Sequence, residues 1–323
     1  MLIGGGFFGY AQEIATALEA RNRRVKWFED RPATDTITKS LVRLAPALVA
    51  KKANTYFDGI IAQVRHEPIR DVLVIKGESL SVSSIHKLRA AFPQARFTLY
   101  FWDSYLNMPK DSTEKVPLFD SAFTFDPIDA QSDHRLRYRP LFFLDEYANL
   151  PEVSRDIDVL FFGTGHSDRF AVLNRLARAL PQDVRFERLL YFPSRLIYAA
   201  RHILYPSFWT APRKEFIYKP LSKAAIKVLI ARSKVIVDIE RRVQNGLTMR
   251  TIEMLGAGKK LVTTNDKITG ADFFSANNIA VIDRRHPKLD VTFLDSPYEP
   301  PHPNILRRYS LSGWLDEVLP NRY

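Results

Sequence analysis

The chain has 323 residues, enough for about two domains, and its 46% hydrophobic and 26% charged composition excludes a disordered or fibrous chain. It has no cysteine, which excludes a disulfide framework, thiolate zinc sites, iron–sulfur ligation and a cysteine nucleophile. The 47 Lys and Arg outnumber the 36 Asp and Glu by 11, so an anionic partner is expected: nucleotide, nucleic acid or membrane surface.

Short apolar runs alternate with amphipathic segments, which predicts an α/β protein. In the first half the runs predict strands at 2–4, 25–28, 72–75, 97–101 and 122–125. Helices fall between them: Tyr10, Ile14, Ala17 and Leu18 recur at helical spacing, as do Tyr56, Ile60, Ile61 and Val64, and 81–91 has Ser81 as N-cap. The second half restarts the pattern. It has strands at 158–162, 235–239, 260–263 and 279–282, helices at 167–180 and 248–255, and a closing helix at 310–319. The polar, proline-bearing Asn149-Leu150-Pro151 marks a boundary, giving domains at 1–150 and 151–285 and an extended tail at 286–323. No apolar run reaches the roughly 18 residues of a membrane span, and the first residues lack a secretory signal pattern, so a cytoplasmic location is expected.

In open parallel sheets, ligands bind where strands end, so the loops after strands carry the candidates. Gly4-Gly5-Gly6-Phe7-Phe8-Gly9 fits G-x-G-x-x-G between a strand and a helix, with Glu29 and Asp30 some twenty residues on. It reads as a dinucleotide loop, as a tight strand-to-helix turn, or as a cleft lining in which Gly6, Phe7 and Phe8 touch an acceptor. Asp103, after Tyr100-Phe101-Trp102, is placed to act as general base on a hydroxyl, or to cap the next turn through Ser104. Gly163-Thr164-Gly165-His166-Ser167-Asp168-Arg169 brings free backbone and the cationic or donor groups His166 and Arg169 to a helix start, which suits a diphosphate.

The most informative run is Asn245-Gly246-Leu247-Thr248-Met249-Arg250-Thr251-Ile252-Glu253, followed by Gly256 and Gly258. A glycine loop enters a helix with Thr248 and Arg250 in its first turn and Glu253 one turn further on the same side. An anion at the helix start and a carboxylate behind it is a geometry for a nucleoside diphosphate. The plain alternative is an Arg250–Glu253 surface pair. The stretch 191–232 holds eight Lys or Arg against one acid, Glu215, interleaved with aromatics. It reads as a basic aromatic insertion suited to an anionic membrane, to single-stranded nucleic acid, or to packing on the second domain. The membrane is favoured, because no RNA-binding motif accompanies it. Histidines show no metal-ligand spacing, and neither a P-loop nor a G-x-S-x-G elbow is present.

The stretch 246–264 resembles the nucleotide-sugar site of GT-B glycosyltransferases. Together with Asp30-Arg31-Pro32, Trp102-Asp103-Ser104 and 163–169, it makes the chain similar to bacterial capsule and lipopolysaccharide biosynthesis glycosyltransferases related to the spore-maturation type. The resemblance implies two Rossmann-like domains facing across a cleft, an acceptor in the first and a nucleotide-sugar donor in the second, with no cofactor and no obligatory metal. Glu253 maps onto the ribose partner. Thr248, Arg250 and the Gly246 amide would hold the diphosphate, with Asn245 and Leu247 beside them, and His166 and Arg169 would approach the phosphates or the sugar. The acceptor implied is a surface polysaccharide or a lipid-linked glycan, with a peripheral place on the membrane through 191–232 and no nucleic acid. Asn245 and Gly246 stand eight and seven positions before Glu253, where the common retaining pattern has a second glutamate, so the stereochemical course stays open. Two rival readings are a nicotinamide-dependent oxidoreductase built on Gly4, Gly6, Gly9 and Asp30, and a non-enzymatic membrane- or nucleic-acid-binding scaffold.

Overall fold

The computed structural model describes residues 1–6, 9–32, 46–165, 168–204, 208, 215–241 and 245–320. The chain forms two units, Met1–Leu141 with Val243–Gly246 and Leu311–Tyr323, and Phe142–Arg242 with Leu247–Ser310.

The first unit runs β1 (Leu2–Ile3), α1 (Tyr10–Glu19), β2 (Trp27–Phe28), α2 (Pro46–Val64), β3 (Asp71–Ile75), α3 (Val82–Ala91), β4 (Arg96–Phe101), β5 (Ser121–Thr124) and β6 (Arg137–Tyr138). The strands make a parallel sheet in the order β2-β1-β3-β4-β5-β6. Helices on both faces explain why β3 and β4 are near-continuous apolar runs rather than alternating ones. Val72, Val74, Phe97, Leu99 and Phe101 meet Phe57, Ile60, Ile85 and Leu88 in the core. The chain goes out to β2 and returns past β1 to β3, so the switch point of this sheet lies between β1 and β3.

The second unit runs α4 (Asp145–Ala148), β7 (Ile157–Thr164), α5 (Arg169–Ala179), β8 (Phe186–Tyr191), α6 (Arg195–Leu204), β9 (Phe216–Ile217), α7 (Lys223–Arg232), β10 (Ser233–Asp238), α8 (Met249–Gly256), β11 (Lys260–Thr263), β12 (Ile279–Val281) and α9 (Pro303–Tyr309). Its sheet order is β9-β8-β7-β10-β11-β12, also parallel, and it is the arrangement of a Rossmann fold with its switch point between β7 and β10.

Three features differ from the sequence reading. The division falls at Leu141/Phe142 rather than near 150, because Phe142 and Phe143 already pack in the second unit, where the Phe143 amide donates to the Tyr309 carbonyl at 2.8 Å. The closing helix, α10 (Leu311–Val318), is no tail: Trp314 is fully buried in the first unit, its ring 4.8 Å from Tyr100. The stretch 191–232 is no insertion either. It completes β8 and supplies α6, the edge strand β9 and α7, and Phe192, Phe208 and Phe216 are core residues.

Candidate functional site

At the switch point of the second sheet, β7 ends in Gly163 and Thr164 and β10 in Asp238. Arg169 opens α5 and turns back over the strand ends. Its Nε donates to the Ile239 carbonyl at 2.7 Å and its Nη1 to the Thr164 carbonyl at 3.2 Å. Arg250, in the first turn of α8, donates to the Phe162 carbonyl and lies over the Phe162 ring, 3.8 Å from its centroid. The two guanidinium groups converge at Gly163: a Cβ there would stand 3.6 Å from Arg250 Nη1 and 3.7 Å from Arg169 Nη1. Burial lowers Arg169 to about 10 against the pull of Asp238, and the nearby Arg250 and Arg241 charges push the same way. Among the described residues neither Arg169 nor Arg250 has a carboxylate at salt-bridge distance.

The acids of this edge are occupied elsewhere. Arg284 is clamped by Asp168 at 2.9 Å and Glu240 at 2.6 Å. Thr264 also donates to Glu240 at 2.6 Å, and burial raises that carboxyl. Asp238 accepts from Thr248 at 2.5 Å and Thr251 at 3.0 Å. Thr248 is the N-cap of α8, accepting from the Thr251 amide at 3.1 Å. Its hydroxyl is therefore spent on the fold. The amides of Met249 and Arg250, which a helix start leaves unsatisfied, make no hydrogen bond among the described residues.

Glu253 is 5% exposed and carries the hydroxyl of Tyr147 from α4. Burial and this carboxylate push the Tyr147 phenol up. The glycines have packing reasons the sequence did not disclose. A Cβ on Gly246 would stand 2.8 Å from the Phe125 carbonyl in the first unit, and one on Gly256 would enter the Phe143 ring. Leu247 is a core residue at 6% exposure.

The structure thus gathers Gly163, Arg169 and Arg250 at one point, with Thr248 and Glu253 on the adjoining helix. It assigns Asn245 and Gly246 to the first unit, with Gly6 and Asp103. Phe7, Phe8 and His166 lie outside the described residues. Asp238, Glu240, Arg284 and Tyr147 were not singled out in the sequence. Asp238 and Glu240, directly after an apolar strand, and Arg284, after the last one, were signals open to that reading.

In the first unit the glycine loop is not open to a pyrophosphate. The Gly6 amide donates to both Glu29 oxygens, at 3.0 and 3.1 Å, so the chain's own carboxylate sits where the anion of the dinucleotide reading would lie. Asp103 is 2.6 Å from Lys76.

No protein-family model matches the chain, and no curated protein matches it either. Its backbone is similar to a glycosyltransferase of Rickettsia africae, with 12% identity, a TM-score of 0.62 and 99% of each chain covered. It is similar to apo OtsA, with 12% identity, a TM-score of 0.67, and 100% of this chain and 99% of that chain covered. It is similar to HepE of Anabaena, solved with UDP and glucose, with 13% identity, a TM-score of 0.58, and 98% and 90% covered. These are glycosyltransferases of the GT-B type, and the chain has the GT-B fold.

Proposed function

We propose that the chain is a glycosyltransferase that takes a nucleoside-diphosphate sugar, with the diphosphate seated between Arg169 and Arg250 over Gly163. The observation that carries this reading is the pair of buried or half-buried guanidiniums that converge at a Rossmann switch point with no carboxylate to answer them. Fixed cations there stabilise the charge that develops on the departing nucleoside diphosphate. The unsatisfied amides at the start of α8 add donors. Glu253 serves the ribose by sharing its carboxylate, one oxygen to Tyr147 and one to a nucleotide hydroxyl. Asp103 is the proposed general base on the acceptor hydroxyl. The fold shared with HepE, itself solved with UDP and glucose, supports the donor class.

The acceptor in this reading is a surface or lipid-linked glycan, and the chain works at an anionic membrane face. One observation favours the membrane: Leu196 and Ile203, seven residues apart on α6, are 82% and 74% exposed within a segment rich in Lys and Arg. Among the described residues no helix is long and apolar enough to cross a membrane.

Calorimetry with UDP, GDP, ADP and CMP tests the donor site. At least one nucleotide binds, and Arg169→Ala and Arg250→Ala each weaken it by about tenfold to a hundredfold, the worth of a charge-assisted hydrogen bond. Affinities unchanged in both variants, or no binding of any of the four, would end the proposal.

A further inference from the structure

The carboxyl-terminal edge of the first sheet holds charges that the donor site does not use. Asp30 and Arg31 follow β2, Lys76 and Glu78 follow β3, and Asp103 and its neighbour Trp102 follow β4, around the β1/β3 switch point. Lys76 has a φ of 70°, the left-handed region that side chains avoid, at a cost of about 1 kcal/mol or more. That conformation aims its buried ammonium at Asp103, 2.6 Å away, with Glu78 at 3.5 Å. Arg31 is bonded to Glu78, and Lys115 lies 3.3 Å from Asp111. Each cation is already answered by an acid.

The carboxylates are not answered in the same way. Asp30 is 1% exposed, and neither of its oxygens accepts a hydrogen bond; Arg31 Nε stands 3.9 Å from one of them. Burying an ionised carboxylate without donors is among the most expensive things a fold can do. Asp103, with 37% of its side chain exposed, gives one oxygen to Lys76 and has no other partner among the described residues. Trp102 is half-buried beside it, 5.5 Å from the Tyr10 ring. This edge therefore lacks hydrogen-bond donors rather than acceptors, and it has an aromatic face next to the deficit. An anion would meet four acids, Glu29, Asp30, Glu78 and Asp103, and cations already engaged. A pyranose fits both needs: its hydroxyls donate, and its C–H face lies on an indole.

We propose that this edge is a second binding site, which takes a neutral sugar through hydroxyl donation to Asp103 at the rim and Asp30 in the floor, with Trp102 against the ring, and discriminates against a phosphorylated one. Lys76 is a positioning residue that holds Asp103. As the acceptor side of a transfer the site rests on the proposed function; as a binding site it stands on the first unit alone.

Saturation-transfer NMR on the full chain, with glucose, galactose, mannose, N-acetylglucosamine and glucose 6-phosphate as probes, tests it. At least one neutral sugar binds, and glucose 6-phosphate binds about tenfold more weakly or not at all. Asp103→Asn and Trp102→Ala each weaken the neutral sugar by about tenfold, the value of one hydrogen bond to a charged group. Lys76→Met does the same, and Lys76→Arg restores part of the loss, whereas a purely structural lysine would lower the thermal midpoint and leave sugar affinity alone. UDP affinity is unchanged in all four variants, which also shows that they fold. No binding of any neutral sugar, tighter binding of the phosphorylated one, or wild-type affinity in Asp103→Asn and Trp102→Ala overturns the proposal. Sugar binding without UDP binding in the wild type would sink the donor site and leave this one standing.

Discussion

Replacing Asp30 by Asn should make the protein more stable at neutral pH, and by an amount the structure sets. Burial pushes the Asp30 carboxyl up to about 6 from an ordinary 3.8, against the opposing pull of Arg31 and Lys76. Between those two values the folded chain holds a proton that the unfolded chain has released. Stability therefore falls as pH rises through this window, and the full penalty is present above it. The 2.2-unit difference between 3.8 and 6 corresponds to about 3 kcal/mol at 1.36 kcal/mol per unit, an upper value for a site among so many charges. Asparagine carries no charge and escapes the penalty. Urea unfolding at pH 4 and pH 7.5 reads the effect, and three of the four tryptophans, Trp27, Trp102 and Trp314, report on the first unit. The advantage of Asp30→Asn over wild type should grow between the two pH values by as much as about 3 kcal/mol. Slopes from Asp129, also raised by burial to about 6, and from the Met1 amino group are common to both proteins and cancel in the difference. A difference that stays constant with pH would show that this carboxylate is not desolvated, and the floor of the proposed sugar site would go with it.

Gly256→Ala should destabilise the second unit by about 1–3 kcal/mol, because the new methyl enters the base of the Phe143 ring, which has little room to turn away; a thermal midpoint equal to wild type would contradict the close approach of α8 to that ring. Leu196→Asp with Ile203→Asp should lower binding to phosphatidylglycerol vesicles by about tenfold or more, two apolar side chains being withdrawn from the interface. Equal flotation of variant and wild type would place any membrane contact elsewhere.

Most strands were legible because both sheets are parallel and covered on both faces, so their residues read as unbroken apolar runs. The 260–263 strand lies where the run predicts it, and the 97–101 strand begins one residue earlier, at Arg96. The failures have one cause. β8 carries Glu187 and Arg188 within six residues, and β9 is two residues at a sheet edge, so neither breaks the surface of a basic stretch. Composition does not tell an aromatic core from an aromatic surface: Phe192, Phe208 and Phe216 are inside, and the exposed apolar residues of the segment are aliphatic. Glycines mislead in the same way. The partners that forbid a side chain at Gly246 and Gly256 are Phe125 and Phe143, each more than a hundred positions away, and Gly6 faces Glu29 across 23 residues. A glycine that spares a ligand and one that spares a distant ring look alike in the chain. Arg169 and Arg250 were legible as cations near strand ends; their lack of acidic partners was not, since that depends on Asp168, Asp238 and Glu240 being claimed by other groups.

The two switch points share a topology and differ in electrostatic sign, and the difference bears on chemistry. At the second, two guanidiniums have no acid; at the first, two carboxylates are short of donors. Net charge alone, 47 basic against 36 acidic, would have placed an anion at either. Transfer of a sugar from a phosphate to a hydroxyl asks for this asymmetry, because the leaving group gains negative charge while the nucleophile surrenders a proton. Cations stabilise the first event and a carboxylate accepts the second. Were the acceptor a phosphate ester, the first unit would need a cation left over, and Arg31, Lys76 and Lys115 are each engaged by an acid. The same engagement keeps Asp103 from competing for the donor's diphosphate partners, so each unit selects its own substrate by the group it leaves unsatisfied.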